Sequence, residues 1–297
     1  MIDPKTLVFF PQWQGTGEWT AIVDGCRTIA AHVDRRPGSE AAAFVPVLLD
    51  PMVEDGEVAR HDVLGREALA EQRRLAEGPI RRAWAANSME GHPTILVGGD
   101  CSVTPALVAV EAEAFGGTVQ LVWVDAHADL NTARSSPSRH AHGMALRFCL
   151  GEGCPTLDNH DSPVQRDRVT LVGARTFDEA ERDYVDTHGI PVIAPDAPER
   201  MAAAVAMRLT GDDPVHLHID LDSLDPEVFP HVNYPVPGGL SLDALMAIVE
   251  AVQDRAMIAG VTLTEYAPKE PHGGMGAIRR ILGEGLGVAL APPPVRR

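Results

Sequence analysis

The sequence predicts an α/β protein with a three-layer α-β-α architecture, in which helices cover both faces of a mainly parallel sheet. Three observations predict it. Short apolar runs recur along the 297-residue chain and alternate with stretches of helical periodicity, the pattern of βαβ units rather than of hairpins. The runs are apolar at consecutive positions, as strands buried on both faces require. The acidic and imidazole clusters fall just past the ends of these runs, where open α/β sheets bind ligands.

The elements follow in order. A strand is predicted over 6–10 and a helix over 19–33, where Ile22, Cys26, Ile29 and Val33 recur at three- and four-residue spacing. An apolar strand at 45–49 precedes a long helical stretch at 64–86. Strand 94–97 leads into helix 104–115, and strand 119–124 into a loop at 131–140. Strand 169–172 precedes helix 179–187, and a short strand at 191–193 precedes helix 198–209. Strand 215–219, helix 242–252 and strand 258–263 complete the series. The loops at 131–140, 149–168 and 227–239 are rich in Pro, Ser or Gly. No repeat or low-complexity tract divides the chain, which is expected to form a single domain over 1–297.

Bulk properties exclude several classes. The composition, 45% hydrophobic and 23% charged, is that of an ordinary globular protein. A net charge of −17 argues against nucleic acid and favours cationic substrates. No apolar run approaches the ~18 residues of a membrane span, and residues 1–5 lack a secretory pattern. The four cysteines form no CxxC pair. A reduced, cytoplasmic protein that binds no membrane is expected.

The chemistry concentrates in three segments: Gly98-Gly99-Asp100-Cys101-Ser102, Asp125-Ala126-His127-Ala128-Asp129 and Asp220-Leu221-Asp222. In extended backbone, Asp125, His127 and Asp129 share one face, as do Asp220 and Asp222. Crowded carboxylates would repel and take up protons. Divalent cations remove that conflict and acidify water. An oxygen-rich set with one or two imidazoles suits Mn²⁺ and related ions better than a structural zinc, and the number of ligands suits two metals. Asp-Xaa-Asp alone also occurs in helix caps and loops. His216 and His218 are expected to be buried core or supporting residues rather than ligands.

Together, the patterns GGDxS, DAHADxNT, HGM, DxDxLDP and the late TEY resemble the arginase/agmatinase (ureohydrolase) family over residues 7–290. The resemblance implies a mainly parallel eight-stranded sheet and a dinuclear manganese centre that hydrolyses guanidino groups. It implies one metal held by Cys101, Asp125, Asp129 and Asp220, and a second held by Asp125, His127, Asp220 and Asp222. A hydroxide between them would attack the guanidinium carbon, with Asp129 orienting it, His142 shuttling protons and Glu265 pairing with the guanidinium. Asn131 and Ser138 would hold a substrate α-carboxylate, and Asp178 and Glu181 its α-amino group. Trimeric or hexameric homo-oligomers are usual in the family.

Three departures bear on the substrate. Cys101 stands where the family pattern has histidine, and a softer thiolate would favour Fe²⁺, Co²⁺ or Zn²⁺ there. Tyr234 stands where arginases tend to carry a small hydroxyl residue, and His140 lies near the presumed α-carboxylate end. These suggest L-arginine or a modified arginine such as Nω-hydroxy-L-arginine as substrate, cleaved to urea or a substituted urea plus L-ornithine. An agmatinase-like, guanidino-acid or formimidoylglutamate hydrolase remains open, as does a metal-deficient binding protein without catalysis.

Overall fold

In a computed structural model, residues 7–17, 19–33, 43–45 and 62–291 are described. They form one eight-stranded sheet in the order β2-β1-β3-β8-β7-β4-β5-β6, with every neighbouring pair parallel. In chain order the elements are β1 (Leu7–Phe10), α1 (Trp19–His32), β2 (Ala43–Phe44), α2 (Arg66–Glu90), β3 (Thr94–Gly98) and α3 (Thr104–Ala114). There follow β4 (Gln120–Val124), α4 (Ala145–Cys149), β5 (Val169–Val172), α5 (Glu179–His188), β6 (Val192–Ile193) and α6 (Pro198–Arg208). The last are β7 (Val215–Asp220), α7 (Leu242–Arg255), β8 (Ile258–Thr264) and α8 (Met275–Arg279), which runs into a π-helical turn over Arg280–Gly285.

The expected strand at 45–49 meets the described residues only at Val45. Strand β2 lies at Ala43–Phe44, and only Val45 continues the contact, through its N–H to the Phe9 carbonyl; residues 46–49 lie outside the described residues. Helix α2 runs on to Glu90 and stops at Gly91, whose φ of 72° lets its N–H turn back to the Asn87 and Ser88 carbonyls.

Alternation sorts each strand's side chains between the two faces of the sheet. Leu7, Phe9, Ile95, Val97, Val122 and Val124 pack with α1, α6, α7 and α8. Val8, Phe10 and Leu96 pack with α2 and α3, while Leu121, Trp123 and Leu171 pack with α3, α4 and α5. Strands buried on both faces need consecutive apolar residues, which the sequence supplies.

The topology then places the site. The last two strands in sequence, β7 and β8, insert between β3 and β4. Val97, Leu263, Ile219 and Val124 pair side by side as one row across the four strands. The clusters that follow them therefore leave the sheet at one level and one edge. Gly99 allows the closest approach on that edge: a Cβ there would lie 1.7 Å from the Gln12 carbonyl oxygen.

Candidate metal centre

Asp125 and Asp220 end β4 and β7 next to each other, and each is braced by the backbone two residues on. The His127 N–H donates to Asp125 Oδ1 at 2.7 Å and the Asp222 N–H to Asp220 Oδ1 at 2.7 Å. The Ala126 N–H, in turn, donates to Asp222 Oδ1 at 3.1 Å. From beneath, the Trp123 indole N–H donates to Asp125 Oδ2 at 3.1 Å. Asp125, Asp129, Asp220 and Asp222 are all under 5% exposed.

Three groups of donor atoms lie within 4.8 Å of one another: Cys101–Asp125–Asp129–His218, Cys101–Asp220–Glu265 and Asp125–His127–Asp222. His127 Nδ1 sits 3.0 Å from Asp222 Oδ2 and 3.5 Å from Asp125 Oδ1. The Cys101 thiol donates to Asp220 Oδ2 at 2.8 Å, and the Cys101 N–H to Glu265 Oε1 at 3.2 Å. Two buried oxygens, Asp129 Oδ2 and Glu265 Oε2, have no hydrogen-bond partner among the described residues. Both residues also hold φ in the left-handed region, 54° and 62°, a conformation that costs free energy in a non-glycine residue and clusters at functional sites.

The electrostatics carry the same message. Burial, and then the charges of Asp125 and Asp222, push Asp129 and Asp220 well above the usual carboxylate range. Asp222 rises through burial and Asp125, and Glu265 through burial and Asp100. Burial works on Asp125 too, but hydrogen bonds and charge from His127 and His218 outweigh it and hold that carboxyl low. Burial opposes the charged form of His127, yet Asp125 and Asp222 raise it to about 12. The Cys101 thiol is pushed up by burial and by its acidic neighbours. One imidazolium cannot neutralise five buried carboxyls; a divalent cation inverts the balance by stabilising each charged form. The donors therefore fit hard-to-borderline divalent cations, with two unpartnered oxygens ready to ligate or to meet a ligand.

The other expected residues fall around this centre. His142, in a 3₁₀ turn over Ala141–Met144, is tied by its N–H to the Gly15 carbonyl, and its Nδ1 lies 3.8 Å from Glu265 Oε1. Burial, and then the neighbouring His140 and His127, depress its pKa to about 3. Tyr234, 38% exposed, places its ring 5.0 Å from that of His142 and accepts from the Thr16 hydroxyl at 3.4 Å. Asn131 is buried and its Nδ2 donates to Asp178 Oδ2 at 2.7 Å. Ser138 is exposed on the loop beyond, where its hydroxyl accepts from the His140 N–H. Asp178 and Glu181 form the capping box of α5, and the second Glu181 oxygen accepts from the Leu130 N–H at 3.0 Å. That carboxylate thus bonds backbone at both oxygens and fixes the segment carrying Asn131.

Sequence reasoning missed three supports. Asp100 is fully buried and receives the N–H groups of Gly15 and Ser102 at 2.8 and 2.9 Å, tying the β1 loop to the β3 loop. Arg175, after β5, donates to the carbonyls of Gly173, Asp222, Ser223, Val236 and Pro237, so it locks the Asp222 turn against the 236–239 loop. His216 is a core residue as expected, paired with Glu111 at 2.8 Å, but His218 reaches the donor cluster. The sequence signals only the Gly-Ala-Arg after a strand and the Asp-Cys-Ser turn.

Comparison with known proteins agrees with this geometry. A sequence model of the arginase family matches residues 53–279. The chain is 33% identical over 186 residues to an arginase of Bacillus subtilis, a match covering 60% of this chain and 62% of that protein. It is 32% identical over 227 residues to an arginase of Bacillus caldovelox, covering 72% of this chain and 75% of that one. The first match thus spans less than two thirds of the relative's length. In three dimensions, the native arginase structure from Bacillus caldovelox superposes with a TM-score of 0.80 at 26% identity, covering 96% of this chain and 99% of that one. The chain belongs to the arginase family.

Proposed function

We propose that the chain is a dinuclear-metal amidinohydrolase that hydrolyses the guanidino group of L-arginine or a modified arginine, with Nω-hydroxy-L-arginine the favoured candidate. The convergence of the acidic donors and Glu265 on four neighbouring strand ends carries the proposal. Asp125, Asp129, Asp220 and Cys101 would hold one ion, and Asp125, His127, Asp220 and Asp222 the other. When bound, two such ions, Mn²⁺ by the balance of donors, supply an acidified water as nucleophile.

The chain's own groups do the rest. Glu265 offers a buried carboxylate with an unpartnered oxygen, suited to a planar guanidinium fork. The Cys101 N–H fixes its other oxygen, and its backbone holds the left-handed φ of 62°. Asp129 Oδ2, also unpartnered, can take a proton from the water and pass it towards the leaving nitrogen. His142, held neutral by burial, would offer its imidazole as a hydrogen-bonding relay beside Glu265. Asn131 and Asp178, joined at 2.7 Å, would receive the amino-acid end, with Ser138 at the rim and Glu181 fixing the loop. The phenol of Tyr234 beside His142 narrows the space around the guanidino group and offers a partner to an Nω-hydroxyl. The proposal treats 1–297 as one catalytic domain within a homo-oligomer.

Comparing kcat/KM for L-arginine, Nω-hydroxy-L-arginine and agmatine, with urea and hydroxyurea measured as products, tests it. Preference for the hydroxylated substrate is expected. Equal or better turnover of plain arginine would refute the modified substrate, and no turnover of any guanidine by metal-loaded chain would refute the hydrolase.

A further inference from the structure

Position 101 carries a thiol, yet an imidazole occupies the same place. His218 reaches from β7, fully buried, and its Nε2 lies 3.6 Å from Cys101 Sγ and 3.8 Å from Asp125 Oδ2. Together with Asp129 these atoms fall within 4.8 Å of one another. The ring is fixed from three sides. Its Nδ1 contacts the hydroxyls of Thr262 at 2.9 Å and Thr104 at 3.0 Å. Trp123 stacks on it at 3.7 Å between centroids, and the same indole donates to Asp125.

A proton on Nδ1, shared with the threonine hydroxyls, leaves the Nε2 lone pair facing the carboxylates. Metal-bound histidines are oriented in this way by an acceptor at the far nitrogen. The contacts of this buried nitrogen, a thiol at 3.6 Å and a carboxylate oxygen at 3.8 Å, are longer than a well-formed N–H···O hydrogen bond. Beside it, Asp129 Oδ2 has no partner among the described residues. We propose that His218 is a metal ligand through Nε2, supplying from β7 the nitrogen donor for the ion held by Asp125 and Asp129 beside the Cys101 thiol. The proposal rests on the two-metal reading above.

Chelator-stripped protein dialysed against Mn²⁺ tests it by metal analysis. The wild type is expected to hold about two ions per chain, and His218→Ser about one. Because Cys101 Sγ and His218 Nε2 are neighbours, an imidazole entering from either strand reaches the same place. The exchange variant Cys101→His/His218→Ser should therefore regain the second ion, which a merely structural role for His218 would not produce. Two ions retained by His218→Ser, or no recovery in the exchange variant, overturns the ligand assignment alone. A wild type that never exceeds one ion overturns the two-metal reading and this proposal with it. Should His218→Ser fail to fold, ¹⁵N-histidine labelling and pulsed EPR of the Mn²⁺-loaded wild type decide the question. Two coordinated imidazoles, His127 and His218, are expected; one overturns the proposal.

Discussion

Replacing Glu265 with glutamine separates what that carboxylate does for the substrate from what it costs the fold. It is 3% exposed, sits among Asp100, Asp222 and Asp125, and leaves Oε2 unpartnered among the described residues. Glutamine keeps the shape, and its oxygen can still accept the Cys101 N–H now received at 3.2 Å. Against a guanidinium, the exchange turns two charge-assisted hydrogen bonds into one neutral bond and one opposed donor. Bonds to charged groups contribute about 1.5–3 kcal/mol against 0.5–1.5 for neutral pairs, and a mismatched buried donor costs a further 1–3 kcal/mol. The sum, about 3–8 kcal/mol, corresponds to a loss of roughly 10²–10⁶-fold in kcat/KM. In chelator, where no cation offsets the acidic cluster, the melting temperature should hold or rise. Steady-state urea release and calorimetry with and without Mn²⁺ measure both. A loss below about tenfold, or a fall in melting temperature above about 4 °C in chelator, would refute the reasoning.

Three further outcomes follow from the geometry. Asp178→Asn keeps the α5 cap but removes the charge beside Asn131, so KM for an amino-acid substrate should rise about tenfold with kcat nearly unchanged and agmatine unaffected; a collapse of kcat would contradict this placement. Glu181→Ala strips the acceptor from the Asp178 and Leu130 N–H groups and should destabilise by about 2–5 kcal/mol; urea denaturation showing under 1 kcal/mol would disprove its role as a brace. The metal-free chain should lose stability as pH rises above about 4, because Asp129, Asp220, Asp222 and Glu265 bind protons more tightly folded than unfolded. His127, raised to about 12, adds loss in the same direction above about 6.5. Saturating Mn²⁺ should flatten that slope and add about 2.7 kcal/mol of stability per site at a hundredfold excess over Kd; melting curves between pH 5 and 8 that are equally flat in chelator would exclude it.

Most of the sheet was legible because parallel strands bury both faces, leaving runs such as Leu121–Val124 and Val169–Val172 with no polar interruption beyond Thr170. Ala43 and Phe44 of β2 carried no such signal, because they lie at the sheet edge and Phe44 is exposed. The five-residue helices α4 and α8 are too short for a periodicity to emerge. The carboxylate clusters stood out because each lies within a few consecutive residues. What joins them does not: Arg175 bonds carbonyls about 50 and 60 residues away. His218 meets Cys101 only because β7 and β8 lie between β3 and β4. Alternation along β7 places His216 and His218 on the same side, but only His218, two residues nearer the carboxyl end of the strand, reaches the donors.

That strand order also governs when the centre can exist. The sheet's middle is closed by its last two strands in sequence, so a growing chain ending before Ile258 would leave β3 without its β8 neighbour and expose an unpaired edge. Such a nascent chain would carry every proposed ligand through Asp222 but lack Glu265 and the β8 strand that holds the β3 and β7 clusters at one edge. Cation capture at the assembled edge is thereby deferred until β8 has been made, and long-range pairing of this kind closes slowly. A ribosome-stalled fragment ending before β7 should accordingly depend on chaperones and bind manganese poorly, while the completed chain folds and loads as one event.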